Sequence, residues 1–216
     1  MYLIELYSDG DSGDLSAAGL RMQLLARAAA GRSAESAKRM AQLERRNQQL
    51  AALTALDARL TGLVDHAEIA HAAVDVLYGE LGFSVCAVDR LTGDGRLEMV
   101  AGCGGAIERL RESGGWSQQA GLGLTGRSLR DRAIVTVGDV TREPDYRPTP
   151  ETGDTRSELC APLWAGDSLW GVIDVQDQHP HAFDDEDAQL VQIAAAQVSA
   201  ALRAATLFRQ LETAAS

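Results

Sequence analysis

Basic residues are in short supply in this chain: 20 Lys and Arg stand against 31 Asp and Glu, a formal charge of −11 at pH 7 over 216 residues. A nucleic-acid interface needs a clustered basic patch, and this balance argues against one. Cysteine is scarce too. Cys86, Cys103 and Cys160 form no C-x-x-C pair, which argues against a disulfide framework or a zinc site and fits a reducing cytoplasm. No unbroken stretch of about 18 apolar residues occurs, so no membrane span is predicted. The opening MYLIELYSDGDSGD lacks a basic region and does not read as a signal peptide. GLGLTG (121–126) lacks the lysine of a phosphate-binding P-loop. A cytoplasmic globular chain, without nucleic-acid or membrane partners, is the expectation.

With 45% hydrophobic and 24% charged residues, the chain can bury a core in one domain with extensions. Residues 1–14 open apolar and turn acidic, as a strand remnant followed by a loop. Leu15–Ala30 is built of helix formers and closes at Gly31, so residues 1–33 read as an N-terminal segment with a short helix. Ser33 is placed to cap a second helix over residues 34–65. There Met40, Leu43, Asn47 and Leu50 keep the spacing of a coiled-coil seam, after which the leucines drift off the heptad. Asn47 either selects register on that seam or faces solvent.

Asp65 is placed to cap a third helix, HAEIAHAAVDVLYGELG, which opens a domain over residues 66–206. FSVCAVDRL, the turn TGDG and RLEMVAG then make a hairpin signal. A Gly-rich stretch, a helical GLGLTGRSLRDRA and a short strand IVTVGDV follow. Residues 141–154, with three prolines, read as a long surface loop of the kind that often carries function. Two strands and a long helix with an acidic first turn complete the domain, and residues 207–216 extend that helix toward a possible output domain. This order predicts an α+β fold, an antiparallel sheet with the terminal helices on one face. The last helix carries two apolar stripes, one for the sheet and one for a partner helix. A homodimer is expected through Met40, Leu43, Asn47 and Leu50 together with Val191, Val198, Ala205 and Phe208.

The stretch TRSELCAPLWAGDSLWGVIDVQDQ (155–178) sets two carboxylates among apolar residues. Strand alternation puts Glu158, Cys160, Pro162 and Trp164 on one face, and Trp170, Val172, Asp174 and Gln176 on one face of the next strand. A connecting loop with an odd number of residues makes these the same face and leaves Leu159, Ala161, Leu163, Ile173 and Val175 as an apolar surface for the helices. The hydrophobic pattern therefore selects the odd loop. Two carboxylates, an amide and a thiol suit a small cationic or amine-bearing ligand, with cation–π help from Trp164 or Trp170. The competing reading pairs Arg156 with Glu158 or Asp174 as structure alone. Asp139 and Tyr146 flank the long loop and are candidates to close over the pocket, although Asp139 also suits a strand-terminating turn. His179 and His181 lack a convincingly spaced third ligand, so no metal is predicted.

GLGLTGRSLRDRAIVTVGDV (121–140), RSELCAPLWAGDSLWGVIDVQD (156–177) and FDDEDAQLVQIAAAQVSAAL (183–202) resemble the GAF family of small-molecule sensor domains of bacterial signalling proteins. The resemblance implies a sheet with a loop-covered pocket on the face away from the terminal helices. It further implies a non-enzymatic sensor whose flanking helices transmit to an output domain or partner; the alternative is a ligand-free dimerisation module. One branch of the family, the free methionine-R-sulfoxide reductases, shares the SE-x-x-x-P and G-V-x-D layout and uses carboxylates matching Glu158 and Asp174 to hold its substrate's amino group. The positions matching its two working cysteines are Thr125 and Glu151, so reductase chemistry lacks its sulfur. No haem ligand, bilin-type Cys-His pair or N-K-F-D-E motif stands where the family places them, and no cofactor is expected.

Overall fold

The computed structural model describes residues 12–215, with most side chains before residue 29 left aside. The strand remnant expected at the start of residues 1–14 lies outside the described residues. Helix α1 runs Ser12–Leu60 without a break. The separate helices expected on either side of Gly31 are thus one. A helix-interior glycine costs only about 1 kcal/mol relative to alanine, less than ending one helix and nucleating another. The chain divides into two compact units, residues 1–47 and 48–216. Every described side chain of the first unit is exposed, Met40, Leu43 and Asn47 included.

In the second unit α2 (His66–Gly79) begins at Asp65, whose carboxylate accepts from the backbone N–H groups of Ala67 and Glu68 at 2.7 and 3.1 Å. That satisfies two of the four orphan donors of a helix start. After it come β1 (Val85–Leu91), β2 (Arg96–Cys103), α3 (Gly105–Glu112), β3 (Ser117–Gln119), α4 (Gly123–Asp131), β4 (Val135–Val137), β5 (Ser157–Ala165), β6 (Ser168–Asp177) and α5 (Asp185–Ala214). The six strands form one antiparallel sheet in the order β3-β2-β1-β6-β5-β4. Helix α3 and strand β3 occupy the Gly-rich stretch that carried no prediction.

One face of the sheet is covered by α2, α5 and the end of α1, with Leu56, Ile69, Leu77, Leu159, Ile173 and Leu202 among the fully buried side chains. The other face carries α3, α4 and the 141–154 segment over two smaller apolar clusters. Val191, Val198 and Ala205 belong to the helix-side core and are at most 1% exposed, so they cannot form the expected partner seam. Of that group only Phe208 faces outward, alongside Ile193, Leu207 and Leu211 of the other stripe. Leu190 is buried together with Val191, so the two lines read from the sequence are not the two faces that the fold uses. By length and mean hydropathy α5 is also apolar enough to cross a membrane, which a search for one unbroken apolar run overlooked. Yet 44% of its most apolar window is buried within the domain.

The strand register reaches the expected face by an unexpected route. Cys160 pairs with Asp174 and Glu158 with Gln176, as an odd loop would give, but the loop itself has two residues, Gly166 and Asp167. A bulge between Leu163 and Trp164 restores the parity by leaving Trp170 without a cross-strand partner. A second irregularity, between Val88 and Asp89, sits where β1 meets β2.

Candidate functional site

Strands β1, β5 and β6 meet at the centre of the sheet, and on the face away from α2 and α5 they bring three carboxyl groups together. Glu158 and Asp174 arrive by the alternation read from the sequence. Asp89 comes from β1, on the same face as Ala87, which pairs with Asp174. All three are buried, with 2, 4 and 7% exposure for Asp89, Glu158 and Asp174. The sequence signal for Asp89 was its place in FSVCAVDRL, where strand alternation sets it two residues from Ala87 in an otherwise apolar run.

Few polar groups meet these acids. Cys160 Sγ donates to Glu158 Oε1 at 3.2 Å and lies 3.6 Å from Asp174 Oδ1. Gln176 Nε2 donates to Asp174 Oδ2 at 2.6 Å, while Thr155 Oγ1 donates to Gln176 Oε1 at 2.7 Å and fixes that amide. Asp89 Oδ1 has no hydrogen-bond partner. Among the described residues none of the three acids makes an ion pair. Burial pushes the Asp174 carboxyl up to about 6. Burial first, then the neighbouring Asp174, pushes Glu158 and Asp89 well above the usual carboxylate range. The Cys160 thiol is also raised, by burial and then by Glu158 and Asp174, which leaves it a poor nucleophile.

Above the acids lies a cavity of about 40 Å³ walled by Trp116, Gln118, Thr125, Tyr146, Arg147 and Thr152. Tyr146 stands where the sequence placed it, as a lid residue, with its hydroxyl donating to the Thr152 carbonyl at 3.3 Å. The 141–154 segment is an ordered cover. It contains two 3₁₀ turns, Val140–Arg142 and Pro150–Thr152, the second closed by a reciprocal cap between Thr149 and Thr152. Arg127 holds it to α4 through Glu143 at 3.1 Å, and Arg109 holds it to α3 through the Glu151 carbonyl at 2.6 Å.

Four expected pocket residues are elsewhere. Arg156 pairs with Asp139 at 3.5 Å and touches neither Glu158 nor Asp174. Asp139 caps a 3₁₀ turn by accepting from the Thr141 backbone N–H and hydroxyl, the strand-terminating role. The β5–β6 bulge removes Trp170, and Trp164 stands at the opposite end of β5 from Glu158. Trp170 packs in the helix-side core and donates to His66, and Trp164 lies under the Arg132 guanidinium, 5.7 Å from its ring centroid. The pocket's aromatic residues are instead Trp116, which the sequence reading missed, and Tyr146. Thr125 accepts from Gln118 Nε2 at 2.7 Å and lines the cavity, while Glu151 does not.

A family model for the GAF domain matches residues 64–203. Several solved structures share the fold. The free methionine-R-sulfoxide reductase of Neisseria meningitidis, solved with its substrate, is 20% identical and aligns over 74% of this chain and 90% of its own, with a TM-score of 0.64. The GAF domain of an Acinetobacter phosphoenolpyruvate-protein phosphotransferase is 23% identical over 74% of this chain and 96% of its own, with a TM-score of 0.64. Its Coxiella burnetii counterpart is 20% identical over 76% and 97%, with a TM-score of 0.65. No curated protein matches the chain. With the sheet order, the helix-packed face and a covered pocket opposite, the family model identifies this chain as a member of the GAF family, a family of regulatory and sensor domains.

Proposed function

We propose that this GAF domain is a sensor whose pocket takes a small cationic or amine-bearing molecule. One observation carries the reading: Asp89, Glu158 and Asp174 are buried together without a cation among the described residues. Burying carboxylates unpaired is costly, and an ammonium or guanidinium donating to them offsets that cost on binding. The cavity of about 40 Å³ holds no amino-acid-sized molecule as it stands, so binding involves movement of the 141–154 cover. A ligand that favours one arrangement of this cover shifts its population, and the signal passes through β6 and the terminal helices to a second copy or an output domain. The domain is not itself an enzyme in this reading. Thr125 and Glu151 stand at the positions of the reductases' working cysteines, and the Cys160 thiol beside the acids is kept protonated by burial first and then by Glu158 and Asp174.

A thermal-shift screen against amines, guanidines, amino acids and polyamines tests this. A true ligand at 100 times its dissociation constant stabilises the fold by about 2.7 kcal/mol. The shift is expected to vanish in Glu158→Gln and Asp174→Asn. A flat screen across all four classes would favour a dimerisation module with a collapsed pocket, a reading that the small cavity also supports.

A further inference from the structure

We infer that Cys160 Sγ, Glu158 Oε1 and Asp174 Oδ1, at the base of the pocket, bind one divalent transition-metal ion of the zinc class. This goes beyond the amine reading and names a second, competing occupant of the same carboxylates. The thiol is what distinguishes the two. An ammonium gains nothing from Cys160, whereas a borderline-soft metal ion gains a thiolate.

The three donor atoms are close enough to share one ion. Cys160 Sγ is 3.2 Å from Glu158 Oε1 and 3.6 Å from Asp174 Oδ1, and the three donor atoms lie within 4.8 Å of one another. With zinc–sulfur near 2.3 Å and zinc–oxygen near 2.0–2.2 Å, a tetrahedral edge between sulfur and oxygen spans about 3.5 Å. The two sulfur–oxygen separations already match that edge. All three residues are buried, unlike the exposed acidic clusters common on protein surfaces.

Two further observations point to an ion rather than to a hydrogen-bonded cluster. Asp89 Oδ1 is buried and unpartnered on the cavity wall it shares with Glu158 and Asp174, an unmet acceptor beside the three donors. Asp174 is already oriented as metal-binding carboxylates are. Its Oδ2 accepts from Gln176, itself fixed by Thr155, which leaves Oδ1 turned toward the sulfur. The thiolate disfavours calcium and magnesium, which take oxygen ligands. Binding displaces the Cys160 proton, and the proton of any ligand carboxyl that still carries one, to the buffer as the metal–ligand bonds form, and nothing is oxidised or reduced.

Titrating the purified chain with Co²⁺ as a spectroscopic substitute, and with Zn²⁺ in competition against a chromophoric chelator, tests the site. One equivalent of Co²⁺ is expected to give a thiolate-to-cobalt charge-transfer band that Zn²⁺ displaces. Cys160→Ser should abolish the band, and Gln176→Ala should weaken Zn²⁺ about 10–100-fold while leaving the band in place. Circular dichroism checks that each variant is folded. A folded wild-type chain without the band, or a band that survives Cys160→Ser, overturns the proposal. The amine reading is separable, because an amine-induced thermal shift depends on Glu158 and is unchanged in Cys160→Ser.

Discussion

Trp170 donates its indole N–H to His66 Nδ1 at 3.0 Å, and the two rings meet edge-on with centroids 5.6 Å apart. An indole nitrogen can only donate, so His66 Nδ1 accepts and the ring proton sits on Nε2, 3.1 Å from Thr206 Oγ1. A neutral imidazole thus ties the bulged end of β6 to the start of α2 and to α5. The bulge that withdraws Trp170 from the pocket places it in this link between the pocket strand and the terminal helices.

Substituting His66→Leu removes both bonds and leaves the buried indole N–H unmet, at an expected cost of about 1–3 kcal/mol at pH 8. Burial first, then Arg209, holds the His66 pKa below its usual 6.5. The native state therefore binds fewer protons here than the unfolded chain. The contribution is complete above pH 6.5 and drains away as pH falls below it. Urea denaturation of both proteins from pH 8 to 5 should show the stability gap narrowing below pH 6.5. A gap independent of pH would remove the neutral imidazole from the account.

The opposite sign is expected at the acids. Asp89 has a pKa well above the usual carboxylate value of 3.8, so the native state binds more protons than the unfolded chain and stability falls as pH rises through that window. Asp89→Asn keeps the shape without the charge. With metal chelated, it should raise stability by about 1–3 kcal/mol at pH 8 and have little effect near pH 4. Stabilisation that comes with loss of a ligand is the trade expected of a binding residue. If Asp89→Asn is destabilising at pH 8, the acid has a structural partner and the charged pocket loses its main support.

Gly171 is the point at which β6 crowds β1. A Cβ built there overlaps the Asp89 carbonyl oxygen, and backbone cannot move aside as a flexible side chain can. Gly171→Ala should cost about 1–3 kcal/mol through overpacking and displace Asp89 with its strand. Chemical denaturation measures the first effect, and loss of metal or amine binding measures the second. A variant as stable as the wild type would mean that β1 and β6 are less tightly joined than this register implies.

How much of this was legible depended on whether period two survived along a strand. Glu158, Cys160, Asp174 and Gln176 lie where the register is regular, and alternation alone put them on one face. Trp170 is the extra residue of the bulge, where counting by twos fails and nothing local announces it, whereas Trp164 lies too far along β5 from Glu158. Asp89 was hidden for another reason: its burial is imposed by α4, the 141–154 cover and two neighbouring strands, none of them local to FSVCAVDRL. Arg156 was misplaced because a charge beside a carboxylate in sequence is a poor guide to its partner in space, whereas Asp139 takes the strand-terminating turn that its sequence context also suited. The α5 stripes show the same limit, since two helical faces of similar apolarity do not say which one meets the sheet.

That last correction moves the expected homodimer seam and makes it testable. The outward line of α5 exposes 47% of Ile193, 46% of Phe208 and 70% of Leu211, and Val64 adjoins it at 43%. Between this line and the end of α1 runs an apolar groove floored by Ala196, Ala200 and Ala204. Small residues on a groove floor let a second helix approach closely, and a helix presenting Phe208 and Ile193 from another copy supplies knobs for it. The double substitution Ile193→Glu with Phe208→Glu places like charges in that seam. Because both sites are exposed in the single chain, its intrinsic stability should change by only about 0.5 kcal/mol. Sedimentation equilibrium should therefore show a wild-type dimer and a folded monomer for the double variant. If the variant remains dimeric, the seam lies elsewhere, and Met40, Leu43 and Leu50 on α1, each more than half exposed, become the surface to substitute next.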